Sequence, residues 1–211
     1  MKQLKIFISY ILMIPAILIA IAIHEFSHAR VATILGDPTP KNEGRLTLNP
    51  LKHIDPIGLL LFFVLQFGWS KPVRVNSTYF EDRNKGNLWV AVAGPLSNLI
   101  GAFLFGALLK IVFLVPFVNP NFQMYIVSFL RYGIHFNVIF TVFNLLPVPP
   151  LDGSQLLFGI LSPSSYFKML QYEKLLHMLL LLLLLMGIIP RLLLPIVGGI
   201  EKMIFGIFHL L

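Results

Sequence analysis

Read from the N-terminus, the chain alternates long apolar runs with short polar breaks. From Ile6 to Ile23 it holds no charged residue, and further apolar regions cover about residues 54–69, 88–115, 122–146 and 175–189. A helix needs roughly 20 apolar residues to span the hydrocarbon core of a bilayer. The first region (about 4–35) and the third, fourth and fifth are predicted to form about four full transmembrane helices. The second, 54–69, is short for a span and is predicted to be a re-entrant, membrane-embedded hairpin. The tail, 191–211, is apolar but broken by Pro195, Gly198, Gly199, Glu201 and Lys202. This pattern predicts a partly interfacial C-terminal helix. The expected fold class is an all-α polytopic membrane protein.

Composition agrees with the pattern. The 211 residues are 57% hydrophobic and 12% charged, against about 25% charged in a soluble domain. Mean hydropathy is +0.84. No polar block is long enough for a separate soluble domain. The reading is one membrane domain, 1–211, with a catalytic core at about 4–155 and C-terminal helices over 156–211. The net charge is +7, but its basic residues cluster in loops between apolar runs, so no nucleic-acid partner is expected. The absence of cysteine excludes disulfides and thiolate metal sites. The N-terminus faintly imitates a signal peptide but is read as a retained helix.

Positive loops stay cytoplasmic. Residues 30–52 hold Arg30, Lys41, Arg45 and Lys52, and residues 71–85 hold Lys71, Arg74, Arg83 and Lys85. Both can be cytoplasmic only if 54–69 does not cross, which agrees with its length. Lys2 and Lys5 fall on the opposite side in this scheme. It predicts a multi-pass protein of the cell membrane with 24–28, 93–98 and 152 at one depth, toward the cytoplasm.

Those residues carry the candidate chemistry. At 24–28 the chain reads HEFSH, and ionisable residues inside a membrane mark functional sites. On a helix, positions i and i+4 share a face, so His24 and His28 can reach one metal ion, with Glu25 beside its water. At 144–153 the chain reads NLLPVPPLDG. Pro147, Pro149 and Pro150 cannot continue a helix, and Asp152 follows on an unwound segment. Asp152 is read as the third ligand in preference to an N-cap of the next helix. Two histidines and one carboxylate leave a zinc ion's fourth position for water. Zinc lowers that water's pKa toward ~7, and Glu25 is placed to take its proton. Short alternation in 44–49 (GRLTLN) and 72–76 (PVRVN) predicts β-strands near this site, where an edge can hold an unwound substrate by strand addition.

With HEFSH (24–28), GRLTLNPLKHIDPIG (44–58), FGWSKPVRVN (67–76), AGPLSN (93–98) and FNLLPVPPLDG (143–153), the chain resembles the site-2 protease family of intramembrane zinc metalloproteases. It is most similar to compact prokaryotic-type members without PDZ or CBS domains. The resemblance implies one zinc ion held by His24, His28 and Asp152, with Glu25 as the base. It also implies a transmembrane protein as substrate, cleaved within or near the lipid bilayer. The competing readings are a metal transporter and a catalytically inactive, protease-like chaperone. Asn98 and Asn144 are candidates for substrate or oxyanion contacts. Asn98 serves equally as an interhelical bond, and Asn144 is better placed to steady the unwound backbone. His135 is read as an interhelical partner, His53 as interfacial, and His177 and His209 are given no role. The residues do not name a regulatory partner.

Overall fold

The computed structural model describes residues 2–65, 68–117, 119–157 and 168–210. Along the chain run α1 (Lys2–Ile34), a single turn α2 (Thr39–Asn42), α3 (Pro56–Leu65), α4 (Arg83–Leu114), α5 (Pro120–Asn144), a single turn α6 (Gly153–Leu156), α7 (Glu173–Leu185) and α8 (Ile188–Ile207). Among the described residues, three helices, Phe7–Ile34 of α1, α4 and α5, are long and apolar enough to cross a membrane. The pair α7–α8, bent by 75°, makes a fourth crossing if it is one span.

Helices α1, α4 and α5 pack on one another. Their contacts use small buried residues, among them Ala16, Ala20, Ala29 and Ala32 of α1, Ala91, Gly94 and Gly101 of α4, and Gly133 of α5. In lipid, apolar side chains gain nothing by leaving solvent. Close backbone approach and interhelical hydrogen bonds therefore drive association. One core combines Ala102, Phe105 and Leu109 of α4, Leu130, Ile134, Val138 and Val142 of α5, and Val197 and Ile204 of α8.

A C-terminal helix forms as expected, and one face of α8 packs on the bundle. Its Val197 and Ile204, seven residues apart, are buried against α4 and α5. One of its charged residues, Glu201, meets α5: His135 Nδ1 lies 2.6 Å from Glu201 Oε1, and the Arg131 guanidinium sits 5.9 Å from the centre of the Phe205 ring. Pro190 does not end the polyleucine helix. The chain turns at Gly187, whose φ of 71° is left-handed and costs glycine little. Pro190 then falls in the first turn of α8, where no N–H is needed.

The two ends of 54–69 meet, as a hairpin requires. An antiparallel bridge joins Ile54 to Ser70, and Lys71 N–H donates to His53 O at 2.8 Å. The segment thus leaves and returns at one point, with α3 between; its residues 66 and 67 lie outside the described residues, as do 158–167 of the C-terminal part. The strands expected at 44–49 and 72–76 do not form. Among the described residues there is no β-strand. Residues 44–49 bend on local bonds: His53 Nε2 bonds Thr47 O at 2.9 Å, and Arg45 donates to Lys52 O. This also places His53 in full burial, not at an interface. Residues 72–76 alternate in exposure, but no second strand lies beside them among the described residues. Period-two patterning records alternating faces, which an unpaired extended segment shows as well.

Candidate active site

Near the C-terminal end of α1, His24, Glu25 and His28 are all buried. The two imidazoles meet edge to face with centroids 4.5 Å apart, and their Nε2 atoms are separated by 3.0 Å. Asp152 Oδ2 lies 3.2 Å from each Nε2. A tetrahedral zinc ion with bonds of ~2.0–2.1 Å would hold its ligands about 3.3 Å apart, so the three atoms form a triangle of the right size.

The second ring nitrogens decide what that triangle is. His24 Nδ1 bonds Asn98 Oδ1 at 2.7 Å, and His28 Nδ1 bonds the Val90 carbonyl at 2.7 Å. Asn98's amide orientation follows from its two donations, to Ala20 O and to Asn137 Oδ1, both at 2.9 Å. Both Nδ1 atoms therefore face acceptors and carry the protons, which leaves a lone pair on each Nε2. Asp152 Oδ2 is buried without a hydrogen-bond partner. Three lone-pair atoms thus converge at contact distance, an arrangement a shared cation satisfies.

Local structure explains how Asp152 arrives there. Helix α5 ends at Asn144, and irregular turns carry the prolines to Asp152, which occupies the N-cap position of α6 with φ −56° and ψ −38°. Its side chain makes no capping bond. By contrast, Asp82 at the start of α4 accepts from the N–H groups of Asn84 and Lys85, at 3.0 and 3.1 Å. Asp152 has the position of a cap but spends its carboxylate on the histidines.

Glu25 is held from the opposite side. Ser70 Oγ–H donates to Oε1 at 2.7 Å and Val73 N–H donates to Oε2 at 3.0 Å. A cavity of about 1220 Å³ opens from His24, Glu25, His28 and Asp152 along apolar residues of α1, α5, α7 and α8, among them Ile17, Ile21, Phe140, Leu181 and Leu194.

Residues 110–187 match the family model for Peptidase family M50. The chain is 38% identical over 162 residues to “Putative zinc metalloprotease YwhC” of Bacillus subtilis, covering 76% of this chain and 74% of that protein. The chain belongs to peptidase family M50. It is also 33% identical over 162 residues to “Putative zinc metalloprotease Rip2” of Mycolicibacterium smegmatis, covering 73% of this chain and 57% of the relative. A third relative, “Putative zinc metalloprotease MJ0611” of Methanocaldococcus jannaschii, is 31% identical over 106 residues, 47% of this chain and 50% of its own. No solved structure matches significantly. M50, the site-2 protease family, is a family of membrane-embedded peptidases, which agrees with the three to four apolar helices.

Within this M50 chain the lesser candidates separate. Asn98 has no donor left for an oxyanion, since both amide hydrogens are spent on Ala20 and Asn137; it is an interhelical link that also orients His24. Asn144 lines the cavity and donates to Phe140 O at 3.1 Å. His135 pairs with Glu201 between helices. His177, given no role from sequence, lines the cavity on α7. Sequence reasoning gave Ser70 and Gly94 no role of their own, and read Val73 as part of a substrate-holding strand without its bond to Glu25. Gly94 backs the imidazoles so closely that a Cβ there would stand 2.6 Å from Cε1 of both His24 and His28. Its signal was a glycine inside a long helix, which usually marks close packing.

Proposed function

We propose that this M50 member is an intramembrane zinc endopeptidase that hydrolyses a peptide bond within or near a transmembrane segment of its protein substrate. The observation that carries the reading is the convergence of His24 Nε2, His28 Nε2 and Asp152 Oδ2, with both Nδ1 protons directed elsewhere. These three residues would hold one zinc ion per chain. The bound ion supplies Lewis-acid polarisation and makes a water acidic enough to react near neutral pH. Glu25 takes the proton of the attacking water and returns it to the departing amide nitrogen, acting as base and then as acid.

The apolar cavity beside the site suits a segment drawn from a lipid-embedded helix. Residues 72–76 offer it an edge: Val73 and Val75 line the cavity, and Val75 N–H has no hydrogen-bond partner among the described residues. An unwound substrate docks there by strand addition, and Asn144 contacts its backbone. Val75→Pro is expected to raise KM without loss of metal; an unchanged KM would overturn strand docking. The basic loops 30–52 and 71–85 meet at the closed base of the hairpin, so the positive-inside rule puts the active site toward the cytoplasmic face of the cell membrane. The whole chain acts as one domain.

The test is Glu25→Gln in the full chain in detergent or lipid. Zinc content is expected to stay at one per chain while cleavage of a model transmembrane substrate is lost. Cleavage that survives would refute the proposed role, and metal transport surviving without cleavage would favour the transporter reading.

A further inference from the structure

The donors that hold Glu25 come from far along the chain, 45 and 48 residues away. We propose that Ser70 is a positioning residue: its hydroxyl, with Val73 N–H, fixes the Glu25 carboxylate in the orientation from which it takes and returns the proton. This rests on the endopeptidase reading above.

Helix α1 sets only the backbone of Glu25. Ordering so flexible a side chain costs rotamer entropy, which other contacts must offset. Each carboxylate oxygen receives one donor, so the plane of the group is fixed as well as its position. A carboxylate has about four lone-pair sites, so two bonds leave room for a proton. The grip orients the base without blocking it.

The support behind these donors is firm. Ser70 sits in the bridge with Ile54, and the next residue, Lys71, is bonded to His53 O at 2.8 Å. His53 is fully buried, with Nε2 bonded to Thr47 O. At the far end, Asn76 N–H donates to Oδ2 of the fully buried Asp37 at 2.7 Å. Between these anchors lies the edge proposed to receive substrate. One short segment therefore joins the orientation of the base to the surface that carries the peptide.

The hydroxyl has no separate task in view. Its proton is committed to Glu25 at 2.7 Å, and the hairpin is closed by backbone bonds that alanine preserves. Ser70→Ala is thus a clean deletion. Misplacing a catalytic group by about 1 Å can cost ~100-fold, so kcat is expected to fall ~10–100-fold. KM should stay within about twofold, because binding in the ground state is untouched. Zinc content and Tm should match the parent. Ser70→Thr keeps the hydroxyl and should recover kcat to within about threefold.

An unaltered kcat in Ser70→Ala overturns the proposal. So does a loss carried by KM, a loss of zinc, or a threonine variant that stays folded without recovery. Glu25→Gln, assayed alongside, separates the two levels. If it cleaves, the endopeptidase reading fails. If it does not, and Ser70→Ala retains full kcat, only the assignment to Ser70 fails.

Discussion

Among the described residues, histidines meet carboxylates in two places, and the two are built for different ends. On α5 and α8, His135 Nδ1 meets Glu201 Oε1 at 2.6 Å, with side-chain exposures of 40% and 21%. One bond consumes donor and acceptor, and neither residue lines the cavity. At the other place, His24 and His28 send their Nδ1 protons away to Asn98 and Val90. Their remaining nitrogens face a buried carboxylate oxygen that has no hydrogen-bond partner. Proximity is similar in the two places. What separates a ligand set from a clasp is where the second ring nitrogen is satisfied.

Substitutions can break this contrast, the strongest first. Gly94→Ala puts a methyl group against both imidazoles. It is expected to lower cleavage more than ~100-fold and to reduce bound zinc. Alanine improves helix propensity by about 1 kcal/mol, so circular dichroism should still report a folded helical protein. Normal metal content in that variant would show that the rings have room to move. Asn98→Ala removes the acceptor that orients His24, and loss of such a partner typically costs 10–100-fold in metal affinity; competition with a chelator measures it. His135→Ala tests the clasp. It is expected to lower stability by about 0.6 kcal/mol, with zinc content and cleavage unchanged, read by thermal melts and assay. Should it lose zinc, the distinction between the two contacts would collapse.

The smallest effect concerns Asp82, the carboxylate that caps the start of α4. Asp82 is held below the usual carboxylate range, first by the Lys85 N–H and then by that of Asn84. A group with a depressed folded pKa stabilises above its unfolded pKa and loses that contribution as pH falls. The Tm gap between wild type and Asp82→Ala should be full at pH 7 and narrow below about pH 4. A gap that does not change with pH would remove the capping account.

Much of the site was legible before any coordinates. HEFSH carries its own geometry, because helical spacing fixes two rings on one face. The prolines at 147, 149 and 150 announce a broken helix, and Asp152 was the acid next to it. The spans over α1, α4 and α5 followed from length alone. The rest depended on tertiary partners. Glu201 read only as a break in the apolar tail, and its match to His135 on α5 was not visible there. The corner at Gly187 was hidden in a continuous apolar run. Ser70 resembled any loop serine, since its partner lies 45 residues away. The alternation in 72–76 was real, but a sheet needs a second strand, and local pattern is silent on that.

The central claim is that two imidazoles and one carboxylate hold a single ion. X-ray absorption at the zinc edge, with metal analysis, on the wild-type chain and on Asp152→Ala tests it most directly. The account expects one zinc per chain in the wild type, with nitrogen and oxygen neighbours only, at ~2.0–2.1 Å, and imidazole scattering. Asp152→Ala should lose one oxygen neighbour and bind zinc more weakly. A wild-type chain that takes up no stoichiometric zinc, or a coordination shell that Asp152→Ala leaves unchanged, would contradict it.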